Sequence, residues 1–150
     1  MLKLSPVLES LHTKGEMEAA ICAEIARFEQ EHLGRGPKEI AASFLDDLLI
    51  IRMRSVLTAA EQHLIATQTA GRGRDLLKRV RTELIESARP HLDRAVETIT
   101  GTKVRSLHHD ISTITGEELI AIVLQAAPQC RERKRKPRLD TFEAQIPPAP

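Results

Sequence analysis

Aromatic side chains are almost missing from this chain: its 150 residues hold no Trp, no Tyr and only Phe28, Phe44 and Phe142. That excludes a stacking platform for single-stranded nucleic acid and an aromatic cage for a cationic ligand, because both need several rings. Cysteine is equally sparse. Cys22 and Cys130 show no CxxC spacing and no paired histidines nearby, so two independent reduced thiols are expected, with no bound metal and no cofactor. Long apolar runs are absent too. The longest stretch without charge, residues 119–130, falls short of the roughly 20 apolar residues of a membrane span. Residues 1–15, interrupted by Lys3, Pro6, Glu9 and Lys14, lack the apolar region of a secretory signal. A cytoplasmic location is the expectation, with any membrane association peripheral to the inner face.

What is present suits one domain: 41% hydrophobic and 29% charged residues, with the core left to Leu, Ile, Val and Ala. The net charge of +1 hides an asymmetry. Residues 128–150 carry six basic and three acidic side chains, whereas the first 127 residues carry sixteen basic and eighteen acidic ones. The expected organisation is an N-terminal extension over 1–12, a single domain over 13–127, and a disordered, basic, Pro-rich tail over 128–150.

Local patterns give the element order. Thr13-Lys14-Gly15-Glu16 has the capping-box form, and Met17, Ile21, Ile25, Phe28 and Leu33 continue an apolar stripe that Gly34 should end. Residues 40–45 and 48–55 read as a hairpin around Asp46-Asp47. Thr58-Ala59-Ala60-Glu61 is a second capping box before a short helix. Leu77, Val80, Leu84, Ala88, Leu92, Val96 and Ile99 mark a longer helix from about Arg74, with a bend or break expected at Pro90. Residues 102–110 and 118–124 form the last strand pair. The order α-β-β-α-α-β-β predicts an α+β fold, a small antiparallel sheet of about four strands with helices packed on one face.

Catalytic chemistry finds little support. Ser112, Thr113, Cys22, His108 and Asp110 offer nucleophile and base types, but no GxSxG elbow orders them. His108 and Asp110 share one strand face and His109 points to the other, so the two histidines cannot readily hold one metal ion. Arg52 and Arg54 share a strand face and could join Arg89 in a basic patch for an acidic ligand or partner. Gly34-Arg35-Gly36-Pro37 follows a helix C-terminus, where the dipole disfavours anions, so a chain reversal is favoured there over a phosphate loop.

The string His108-His109-Asp110-Ile111-Ser112-Thr113-Ile114-Thr115-Gly116-Glu117 carries a resemblance. Taken with Gly34-Arg35-Gly36-Pro37, Leu57-Thr58-Ala59-Ala60-Glu61 and Ala88-Arg89-Pro90, it resembles the MpsC family of small bacterial cytosolic proteins. His109 stands where the family has a small polar residue. The resemblance implies the third component named with a sodium-translocating, membrane-potential-generating system, whose membrane partners are implicated in inorganic-carbon uptake. It supplies no catalytic residues. It does mark polar positions, Arg35, Glu61, Arg89, His108, Asp110, Ser112, Thr113, Thr115 and Glu117, which with Arg52 and Arg54 are the candidates for ligand or partner binding. The leading expectation is a non-enzymatic accessory or regulatory module, homodimeric, working with a membrane transporter component. The alternatives are a sensor or enzyme for a small anion or nucleotide, with Arg89, His108, Asp110 and Glu117 converging, and nucleic-acid binding through the tail.

Overall fold

Thr13 starts the first helix by a reciprocal exchange: its amide donates to Glu16 Oε2 at 2.8 Å and its hydroxyl accepts from the Glu16 amide at 3.2 Å. In the computed structural model, which describes residues 12–67 and 71–132, this helix is α1 (Lys14–Leu33). It buries Met17, Ile21, Ile25 and Phe28 and ends at Gly34, whose φ of 74° is the left-handed conformation glycine accepts without strain. β1 (Glu39–Leu45) and β2 (Leu48–Arg54) form the hairpin around Asp46-Asp47. Thr58 and Glu61 cap α2 (Ala59–Thr67) by the same exchange, at 2.7 and 3.2 Å. The long helix α3 (Arg72–Thr100) ends at Gly101, and β3 (Val104–Ile111) and β4 (Glu118–Leu124) complete the chain order.

The four strands form one antiparallel sheet in the order β1-β2-β4-β3, so β4 is inserted between the hairpin and β3. Alternation sends Ala42, Phe44, Leu49, Ile51, Met53, Ile120, Ile122 and Leu124 to one face, where α1 and α3 cover them. Each buried Leu or Ile contributes about 1.5–3 kcal/mol. With Phe28 and Phe44 the only rings in it, the core is otherwise aliphatic. No helix among the described residues covers the opposite face, which presents Ala41, Ser43, Arg52, Arg54, His108 and Leu119.

The α+β architecture and element order match the sequence expectation, with three adjustments. α3 begins at Arg72 and runs unbroken through Pro90. The carbonyl of Glu86, which loses its helical partner there, belongs to an exposed residue. The buried stripe of α3 is Leu77, Arg81, Ile85, Ala88, Leu92 and Val96, whereas Val80 is exposed. β3 begins at Val104, two residues later than expected, with a register irregularity before Ser106. Cys22 and Cys130 are both free thiols. The expected N-terminal extension, apart from residue 12, and the expected basic tail from residue 133 onward lie outside the described residues.

Candidate functional site

Three connections meet at one end of the sheet. The α1–β1 loop, the β2–α2 loop and the β3–β4 turn enclose a cavity of about 380 Å³ against α2. Gln30 fixes the first loop: its amide nitrogen donates to the Gly34 carbonyl at 3.2 Å and its amide oxygen accepts from the Gly36 amide at 3.1 Å. That staple presents Arg35, whose Nη1 donates to the Leu57 carbonyl at 3.0 Å. In the second loop Ser55 adopts a φ of 56°, uncommon for a residue with a Cβ. The turn closes by the Gly116 amide donating to the Ser112 carbonyl at 2.9 Å, and it is tied to the second loop by the Val56 amide donating to the Gly116 carbonyl at 3.3 Å.

The polar lining is Arg35, Lys38, Ser55, Gln62, Thr113 and Thr115, beside a wall of Leu57, Ile65, Ala66 and Ile114. No described residue of this lining is acidic, and neither Arg35 nor Lys38 pairs with a carboxylate among the described residues. Two cations and three hydroxyls facing one cavity form a donor-rich, positively charged site. Its chemistry suits an anionic group bound through side chains, so the unfavourable dipole at the α1 C-terminus does not decide the matter.

Behind this pocket lies a buried charge cluster built on Arg81, which is 1% exposed. Its guanidinium makes five hydrogen bonds. Nε and Nη2 grip Glu61 bidentately at 2.9 Å each, Nη1 reaches Glu118 at 2.8 Å and Glu29 at 3.5 Å, and Nη2 also donates to the Val56 carbonyl at 3.2 Å. Glu118 Oε1 is hydrogen-bonded to His109 Nε2. Three carboxylates, from α1, α2 and β4, thus face one guanidinium on α3.

Electrostatics separate Glu61 from Glu29. Burial works against the charge of Glu61, but the Arg81 N–H groups and the Thr58 amide outweigh it and hold the carboxyl below its ordinary value. Glu29 goes the other way: burial, reinforced by the neighbouring Glu118 charge and only partly offset by Arg81, pushes its pKa up to about 8. Its second oxygen, Oε1, has no hydrogen-bond partner among the described residues, so it can hold a proton without giving up an existing bond. The cluster and the pocket touch the same segment at consecutive carbonyls, Val56 held by Arg81 and Leu57 held by Arg35.

Of the sequence candidates, Arg35, Thr113 and Thr115 line the pocket, and Ser112 shapes the turn by accepting from the Thr115 amide at 3.2 Å. Glu61 belongs to the buried cluster. Arg52 pairs with Glu117 at 2.6 Å and Arg54 with Glu39 at 3.3 Å, on the helix-free sheet face. Arg89 sits across the sheet on α3, paired with Asp93 at 3.3 Å, so it does not join Arg52 and Arg54 in one patch. His108 is exposed, and Asp110 bonds Lys78 at 2.8 Å. Arg89, His108, Asp110 and Glu117 therefore do not converge. The sequence reading missed Lys38, Ser55, Arg81, Glu29, Glu118 and His109. The last four had a signal: each continues a buried stripe or strand face, Arg81 between Leu77 and Ile85, Glu29 four after Ile25, Glu118 two before Ile120, and His109 between Leu107 and Ile111.

The family model described as "Na+-translocating membrane potential-generating system (MpsC)" matches residues 13–126, which contain every segment of the pocket. The chain belongs to the MpsC family. A curated relative is the "Uncharacterized protein YbcI" of Bacillus subtilis (strain 168), 34% identical over 112 residues that cover 75% of this chain and 88% of that protein. No solved structure matches. For an MpsC protein, an accessory part in the named system is the general role, and no helix among the described residues is long and apolar enough to cross a membrane.

Proposed function

We propose that this MpsC protein is a non-enzymatic, cytoplasmic accessory or regulatory component that acts beside a membrane transporter, and that it does so by recognising an anionic group in the Arg35–Lys38 pocket. The observation that carries this reading is the pocket lining: two cations and three hydroxyls, with no carboxylate among its described residues. A guanidinium held by one carbonyl keeps its other N–H groups for a ligand. Among the described residues no nucleophile is hydrogen-bonded to a general base in this cavity, so its donor set supports binding more than turnover.

Bicarbonate and inorganic phosphate are the first ligands to test, in isothermal titration and thermal denaturation. A ligand that binds only the folded chain raises its melting temperature by mass action. At least one of the two anions should do so for the wild type and neither for the Arg35→Gln/Lys38→Gln variant; flat responses to both would contradict the reading. For the accessory role, the chain should co-purify with a membrane protein from native membranes at moderate salt, and recovery without one counts against it. A homodimer is supported by Leu76 and Val80, which stand one turn apart on α3 and are 49% and 46% exposed, beside Arg79 and Glu83. Sedimentation should show a dimer that Val80→Lys dissociates.

A further inference from the structure

Ile114 is the most exposed large apolar residue of the core domain, at 95%, and it projects from the turn that supplies Thr113 and Thr115 to the anion pocket. A single exposed aliphatic side chain is ordinary in itself, and Ile114 has no place in the buried core. Its position is informative because the same short turn carries both the apolar tip and the pocket's hydroxyls. Leu45, also exposed, flanks the β1–β2 turn at the opposite end of the sheet and does not extend this patch. The nearby carboxylates Glu117 and Glu39 are neutralised by Arg52 and Arg54, so they do not cancel the charge of Arg35 and Lys38.

We propose that the anion taken by this pocket is the phosphate of a lipid headgroup, and that the β3–β4 turn docks on an anionic membrane surface with Ile114 entering the interface. This rests on the anion-pocket reading above and gives it a ligand class. A guanidinium, an ammonium and three hydroxyls supply enough donors to surround the three terminal oxygens of a phosphate monoester whose single ester arm leaves the cavity. The arm would leave past Ile114 and the Leu57–Ile65 wall, an apolar path that a free inorganic ion does not need. Cationic side chains beside an inserted aliphatic residue are the two attractions that hold a peripheral protein on anionic lipid. Such docking gives a chain without a described membrane-spanning helix a way to sit beside a membrane system.

The test compares the full chain and two variants on vesicles of phosphatidylcholine with or without phosphatidic acid, and in titrations with glycerol 1-phosphate. The wild type should sediment with the phosphatidic acid vesicles, more weakly as salt rises, and not with pure phosphatidylcholine. Ile114→Ser should weaken vesicle binding at least tenfold, and by a larger factor than it weakens glycerol 1-phosphate binding; the exposed site makes misfolding an unsuitable explanation, and unchanged thermal melts confirm that. Arg35→Gln/Lys38→Gln should lose both interactions. If glycerol 1-phosphate binds but the vesicles do not, or if Ile114→Ser sediments like the wild type, the membrane proposal falls while the anion pocket stands. If neither glycerol 1-phosphate nor any simple anion binds, both fall.

Discussion

Two arginines hold consecutive carbonyls of the same loop and live in opposite environments. Arg81 is sealed among Glu29, Glu61 and Glu118, with its guanidinium committed to five hydrogen bonds. Arg35, half-buried, gives one hydrogen bond to Leu57 and faces a cavity without acidic lining. The same side chain is spent on architecture in one place and kept available in the other. A buried guanidinium with every donor satisfied fixes the positions of α1, α2, α3 and β4 relative to one another. A guanidinium with donors to spare is where a ligand gains by binding.

The contrast breaks most sharply at Arg81. Arg81→Leu strands Glu118 and part of Glu61 without their guanidinium and leaves Glu29 without its hydrogen-bond donor, and removing one partner of a buried pair costs about 3–5 kcal/mol. Urea unfolding should show that loss, or a chain that does not fold, whereas Arg35→Ala should stay within about 1 kcal/mol of the wild type. Gly116→Ala comes next. A Cβ there finds ordinary contact with Leu57 Cδ1 at 3.7 Å, so the cost is that of holding φ at +71°, about 1–2 kcal/mol by thermal denaturation.

Glu29 sharpens the comparison through pH. Its folded pKa of about 8 stands above the ordinary 4.5, so the folded chain binds this proton more tightly than the unfolded chain. The stability it contributes is complete below 4.5 and is lost as pH rises through about 8. Thermal melts across that window should show a declining stability for the wild type and a flatter profile for Glu29→Gln, which keeps the shape and removes the titration. Equal slopes for the two would show that Glu29 does not hold the proton. The smallest effect belongs to Arg54→Gln: its pair with Glu39 is solvent-exposed, and such a pair contributes from nothing to about 1 kcal/mol.

How much of this was legible differs between the fold and the site. Both capping boxes, the alternating strands and the glycine stops are local patterns, and local patterns place elements. The pocket is assembled from residues 35, 55 and 113–115, whose meeting depends on β4 inserting between β2 and β3, a long-range pairing that no short window encodes. Arg81 was hidden for another reason. Counting only apolar residues drew the α3 stripe through Val80 and Leu84, when the buried line passes through Leu77, Arg81 and Ile85. A charge lying in a buried line was the available signal, and reading it required treating Arg81 as a member of the stripe. His109 proved to face the same cluster through Glu118.

The central claim is that one arginine site is scaffold and the other is a binding site. Isothermal titration of glycerol 1-phosphate into the wild type and the Arg35→Gln/Lys38→Gln variant, with thermal melts on the same samples, tests it most directly. The account predicts measurable binding by the wild type, at least a tenfold loss in the variant, and nearly unchanged melting temperatures in the absence of ligand. Equal affinity in the two proteins, or no binding of any simple anion to the wild type, would contradict it.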